Sequence, residues 1–195
     1  MHSTALGRVC SLVVIALIQV FAIVDFNFDD DPKSDAQFCC MVEHTFPQEP
    51  FRTCYEQHKN SPDNNETAWC IHQCYYNAIG MFSNGDKLEI DNYLQYKDSL
   101  DAARQDPFTF ALAVCVKLTI KLIKHFAASG KELPCSPIPY LFNRCLMEVD
   151  MVNCPLDQWL NSTFCDALTK KIKSKYGEGI RYDEVKRTSG NPSDR

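Results

Sequence analysis

The chain has 195 residues, 45% of them hydrophobic, enough to bury one sizeable core and to set the expectation of a single compact domain. With 20 basic against 25 acidic residues its formal charge is −5, which removes the electrostatic motive for binding nucleic acid. At the amino terminus Arg8 precedes an apolar run from Val9 to Val24, broken by Ser11 and Gln19, and an acidic segment begins at Asp25. This pattern predicts a signal peptide over 1–22, cleaved after Ala22, and therefore a secreted, extracellular protein. An uncharged run of 16 residues is shorter than the roughly 20 that a spanning helix needs, so no membrane span is expected.

Residues 23–38 read as a flexible acidic arm, with Asp29, Asp30 and Asp31 ahead of Pro32. Pro47 and Pro50 confine the next helix to about Phe51–His58, starting after the second proline. Asp63 or Asn64 can cap a helix that carries Trp69, Cys70, Cys74 and Tyr75 to about Phe82, where Asn84-Gly85 marks a turn. A second amphipathic stretch runs from about Glu89 to Gln105. The clearest helix starts at Asp106-Pro107 and stops at Gly130, with Phe108, Ala111, Leu112, Cys115, Leu118, Leu122 and Phe126 at helical spacing and Lys117, Lys121 and Lys124 on another face. Pro134, Pro137 and Pro139 impose a bend before a helix over about Tyr140–Val152. Pro155 then opens the last helix, from about Leu156 to Tyr176. The polar residues 177–195 read as a disordered tail, and no alternating strand pattern is found. The expectation is an all-α, compact bundle of about six helices, with residues 39–176 as the disulfide-linked binding domain.

Loss of the leader removes Cys10 and Arg8, leaving ten cysteines and a formal charge of −6. An even count in an exported chain points to a closed disulfide set of Cys39, Cys40, Cys54, Cys70, Cys74, Cys115, Cys135, Cys145, Cys154 and Cys165. Cys70 and Cys74 project over one turn of one helix, so each must bond to a different neighbouring element. Adjacent Cys39 and Cys40 point apart in an extended chain, so each should reach a downstream partner.

Three residues separate Cys70 from Cys74, 40 separate Cys74 from Cys115, nine separate Cys135 from Cys145 and eight separate Cys145 from Cys154. With Pro155 directly after Cys154, these spacings over residues 39–165 resemble those of the insect odorant-binding proteins, in particular their Plus-C subgroup. In that likeness Cys54 stands first, or Cys39 or Cys40 in its place; Cys70, Cys74, Cys115, Cys145 and Cys154 follow as second to sixth, and Cys135 and Cys165 are additions. The resemblance implies bridges Cys54–Cys74, Cys70–Cys145 and Cys115–Cys154, with Cys39, Cys40, Cys135 and Cys165 forming two more in an order left open. It implies an odorant-binding-protein-like fold and a carrier of odorants or pheromone-like ligands in an internal apolar cavity. A small hydrophobic ligand, a chemosensory receptor and a second copy of the chain are the partners expected on that basis.

Tyr75, Ile79, Phe108, Leu112, Phe126, Tyr140, Met151 and Trp159 are the candidates to line such a cavity, although aromatic stripes more often serve as plain core. Asn65-Glu66-Thr67 and Asn161-Ser162-Thr163 satisfy the glycosylation sequon, making Asn65 and Asn161 candidate acceptors. No catalytic residue, metal ligand or cofactor is expected. The Cys70/Cys74 spacing lacks the shorter spacing or added histidines of a zinc site. The Cys39-Cys40 pair with His44 has neither the spacing nor the Gly-rich calcium loop of a secreted phospholipase A2. His58, His72 and His125 have no companion nucleophile motif and read as surface or half-buried residues. The competing expectation is a secreted disulfide-rich module that binds a protein partner, as an inhibitor or a signal.

Overall fold

The computed structural model describes residues 39–40, 46–60, 64–130 and 132–182. The expected leader, the acidic arm and the tail beyond Tyr182 lie outside the described residues. The fold is all-helical: six α-helices and one two-stranded hairpin make up its regular structure among the described residues, apart from a single turn of 3-10 helix near the end.

Helix α1, Gln48–His58, starts three residues earlier than expected, because Pro50 falls in the first turn, where an amide has no intrahelical acceptor and its loss is tolerated. Helix α2, Asn64–Ala78, stops short of Phe82. Gly80, at φ +76°, turns the chain so that the Met81 amide donates back to the Tyr76 carbonyl at 2.9 Å, a geometry open to glycine without strain. A short hairpin follows that the sequence reading did not expect: β1 (Phe82–Ser83) pairs antiparallel with β2 (Lys87–Leu88) across a turn with positive φ at Asn84 and Gly85.

Helix α3, Ile90–Asp98, ends seven residues before the expected boundary, and helix α4 then runs unbroken from Ala102 to Ser129. The break falls at Ser99–Asp101 rather than at Asp106-Pro107. Buried Leu100 is drawn into the core there, and the Gln105 side chain donates to its carbonyl at 3.0 Å. Pro107 is the sixth residue of α4, inside the helix: it gives up the bond its amide would make to the Ala103 carbonyl, and α4 continues through it. Gly130, in the left-handed conformation, ends the helix as expected.

Helix α5 spans Ile138–Val152, with Pro137 and Pro139 at its entry. Helix α6 spans Thr163–Tyr176 rather than starting at Leu156. The intervening residues are pinned otherwise: Trp159 forms an isolated bridge with Cys40, and the Leu160 amide donates to the Cys39 carbonyl at 2.8 Å. The Ser162 side chain caps α6 by accepting from the Cys165 amide at 3.1 Å. The disorder expected from residue 177 fails for Gly177–Tyr182, since Ile180 is 2% exposed and Asn153 grips both the Ile180 carbonyl and the Tyr182 amide.

Helix α5 is the hub, packing against α2, α4 and α6, while α1 lies on α2 and α3 on α4. Five disulfides tie these elements: Cys54–Cys74, Cys70–Cys135, Cys115–Cys145, Cys40–Cys154 and Cys39–Cys165. The first joins α1 to α2 as the resemblance implies, but Cys70–Cys145 and Cys115–Cys154 are corrected. Cys145 lies buried mid-helix in α5, whose closest neighbour α4 presents Cys115. Cys135 lies in the segment before α5, held against α2 by the hydrogen bond from the Ser136 amide to the Gln73 side chain, one turn on from Cys70. Cys154, past the end of α5, is left for Cys40.

Candidate functional site

Of the eight apolar candidates, Tyr75, Phe108, Leu112 and Met151 are buried. Ile79, Phe126 and Trp159 are half-buried against the same continuous core. Tyr140 meets that core through His72, its ring 4.8 Å from the imidazole in an edge contact. His72 also stacks on Tyr76 at 5.7 Å, and Tyr75 packs against Tyr76 at 4.9 Å and edge-on to Phe51 at 5.4 Å. Tyr75 and Tyr140 are therefore brought into one aromatic group on α2 and α5. Phe108 belongs to a neighbouring group, edge-on to Tyr96, which in turn stacks on Phe46 at 4.5 Å. Trp159 stands apart, in the loop pinned to Cys40, and Phe126 near the end of α4 meets His125.

The sequence reading missed His72 and Tyr76 as members of this group. No local signal marked them: His72 lies three residues after Trp69 and four before Tyr76, a spacing that many pairs on a helix share. A third aromatic set, Phe82, Tyr93 and Phe142, fills the centre with ring centroids 5.2 to 6.4 Å apart. The Tyr93 hydroxyl donates to Asn143 at 2.7 Å, and Asn143 donates to the Pro139 carbonyl, so the one polar tip in that set is satisfied.

Burial lowers the His72 imidazole to about 4, so the ring is neutral at pH 7. Its Nδ1, and the indole Nε1 of Trp69 one turn earlier on the same side of α2, are buried polar atoms with no hydrogen-bond partner in the protein. Such atoms carry a desolvation cost that a polar group presented by a bound molecule would relieve.

Two buried ionic clusters brace α5 from either side. Arg104 of α4 bonds Asp150 at 2.5 Å; burial raises the Asp150 carboxyl more than Arg104 lowers it. Glu148, 7% exposed, accepts from Arg144 at 3.0 Å, Lys175 at 2.7 Å and the Tyr176 hydroxyl at 2.6 Å. Burial works to raise its carboxyl, but Lys175 and Arg144 together outweigh that and hold it below the usual range. These partners are all spoken for, which suits bracing more than chemistry.

An open depression of about 550 Å³ lies on the outer face of α1, lined by Glu49, Arg52, Thr53, Glu56 and Gln57. Its lining residues are charged or polar in type and include none of the apolar candidates. Both candidate glycan acceptors, Asn65 in the first turn of α2 and Asn161 just before α6, are exposed. No protein-family model, no curated protein and no solved structure matches this chain.

Proposed function

We propose that the protein is a secreted, non-catalytic carrier of small hydrophobic molecules, of the odorant-binding-protein kind. The observation that carries this reading is the interlock of three disulfides around an aromatic core. If Cys135 and Cys145 stand as fifth and sixth of the resembled framework, the bridges Cys54–Cys74, Cys70–Cys135 and Cys115–Cys145 run first to third, second to fifth and fourth to sixth. That is the order the resemblance implies, shifted by one cysteine in its last two members. The nine residues between Cys135 and Cys145 differ by one from the eight between Cys145 and Cys154, which is why spacing pointed to the wrong pair. Pro155 then no longer follows the sixth cysteine, so the Plus-C likeness rests on the extra bridges of Cys39 and Cys40.

A ligand would lie among α2, α4 and α5, against Tyr75, Phe108, Leu112 and Tyr140. Its affinity would come from apolar area removed from water, at roughly 25 cal/mol per Å². Crosslinks on both sides of α2 keep the helices in register while side chains give way, which an uncrosslinked core of this size could not do cheaply. The test is displacement of a fluorescent apolar probe by long-chain alcohols, esters and aromatics. Saturable, competitive binding in the micromolar range is expected, and a panel with no displacement removes the carrier reading.

One observation favours a second reading, a secreted module that binds a protein partner. Leu156, Leu160 and Phe164 are 87%, 46% and 41% exposed in and beside the loop that leads into α6. Large apolar side chains left in the open suit an interaction surface. Silence with the probe panel, together with a defined partner lost on Leu156→Ser and Phe164→Ser, would favour it.

A further inference from the structure

Helix α4 has a charge pattern unlike the rest of the chain. Although the protein is acidic, no Asp or Glu occurs between Asp106 and Glu132, whereas Lys117, Lys121 and Lys124 do. All three lysines are exposed, and none makes an ion pair among the described residues. Helical spacing puts them in one row on the outside of α4, away from the buried line of Phe108, Ala111, Leu112, Cys115 and Leu122. Ile120 and Ile123, 50% and 40% exposed, flank that row along one side.

We propose that this face of α4 docks on a membrane surface containing anionic phospholipid. The lysines would meet headgroup phosphates, and the two isoleucines would enter the boundary between headgroups and acyl chains. Charge complementarity fixes the sign of the partner: unpaired cations clustered on an acidic protein seek an anionic surface. The isoleucines decide its kind. An acidic polypeptide would satisfy the lysines but leave two apolar side chains facing charge, whereas a bilayer interface offers phosphate at one depth and hydrocarbon just below it. Among the described residues no helix is long and apolar enough to cross a membrane, so the contact is peripheral. Two isoleucines alone bury too little to hold a protein there, and attachment therefore depends on the lysines and on salt. The proposal does not rest on the carrier reading.

The experiment is cosedimentation of the full disulfide-bonded chain with phosphatidylcholine vesicles, with and without added phosphatidylserine. Binding is expected to the anionic vesicles alone and to disappear at high salt. Combined Lys117→Glu, Lys121→Glu and Lys124→Glu should weaken it by about a hundredfold or more. Combined Ile120→Ser and Ile123→Ser should weaken it by roughly threefold or more. All five positions are exposed, and unchanged helical circular dichroism checks that the variants are folded. Absence of binding to anionic vesicles, or lysine variants that bind like the parent, would overturn the proposal. Equal binding to soluble polyglutamate, with no effect of the isoleucine changes, would overturn it in favour of an acidic polypeptide.

Discussion

At His72 packing and titration meet. Its imidazole is wedged among Phe51, Tyr76 and Tyr140, and burial lowers it to about 4 from an ordinary 6.5. Below pH 6.5 the unfolded chain takes up a proton that the folded chain refuses until about 4, so acid favours unfolding. The stability is complete above the unfolded value and is lost as the pH falls through that window, by at most about 3 kcal/mol. Urea melts at pH 7 and pH 4.5 measure it, and His72→Phe should flatten the difference; a variant with the parent's slope would place the effect elsewhere. Nothing in the sequence distinguished His72 from His58 or His125, because what sets it apart is the set of rings that two other helices press against it. Leu112 is the opposite case, legible from helical spacing and 4% exposed. Leu112→Trp overfills its site, at a cost of about 1–3 kcal/mol, and should weaken displacement by large ligands more than by small ones.

Among the elements, helix α6 is held by a buried charge as well as by the apolar seam of Cys165, Leu168 and Ile172. Glu148 of α5 receives Lys175 and Tyr176 from the last turn of α6, and burial lowers Lys175 to about 8. Glu148→Ala removes the acceptor that Lys175, Arg144 and Tyr176 share and should destabilise the fold by about 3 kcal/mol in chemical denaturation. Tyr176→Phe removes a single hydrogen bond and should cost nearer 1 kcal/mol. Helix identity was readable throughout, since the apolar periods of α4 and α5 recur where they were expected. Of the boundaries, the ends at His58, Ser129, Val152 and Tyr176 fall where they were expected. Pro50, Pro107 and Pro155 each pointed to the wrong place, for different reasons: Pro50 sits in the first turn of α1, Pro107 inside α4 and Pro155 in the loop eight residues before α6. The start of α6 was set instead by the pairing of Leu160 with Cys39, a contact between distant parts of the chain that leaves no local trace.

For the molecule as a whole, peptide mapping under non-reducing conditions should recover Cys70 with Cys135, Cys115 with Cys145 and Cys40 with Cys154; recovery of Cys70 with Cys145 would contradict the fold. The number of bridges and the refusal of Cys39 to pair with Cys40 follow from residues alone, but the assignment depends on which helix lies beside which. Removing Cys39–Cys165 by serine at both positions frees a loop of 126 residues, worth about 5 kcal/mol in the loop-entropy picture. The neighbouring Cys40–Cys154 bridge closes nearly the same loop, so the measured loss should be much smaller than that, and large only when both are removed. The paired cysteines at the head of the domain also set an order on biosynthesis. Cys54 can find Cys74 as soon as that short stretch has emerged, but Cys39 and Cys40 must wait for almost the whole domain to be translated before either partner exists. During that interval two adjacent thiols stand open while six later cysteines emerge ahead of Cys154. The growing chain therefore has to be guarded against its own wrong pairings, and its yield should follow the supply of disulfide-exchange catalyst in the compartment where it matures.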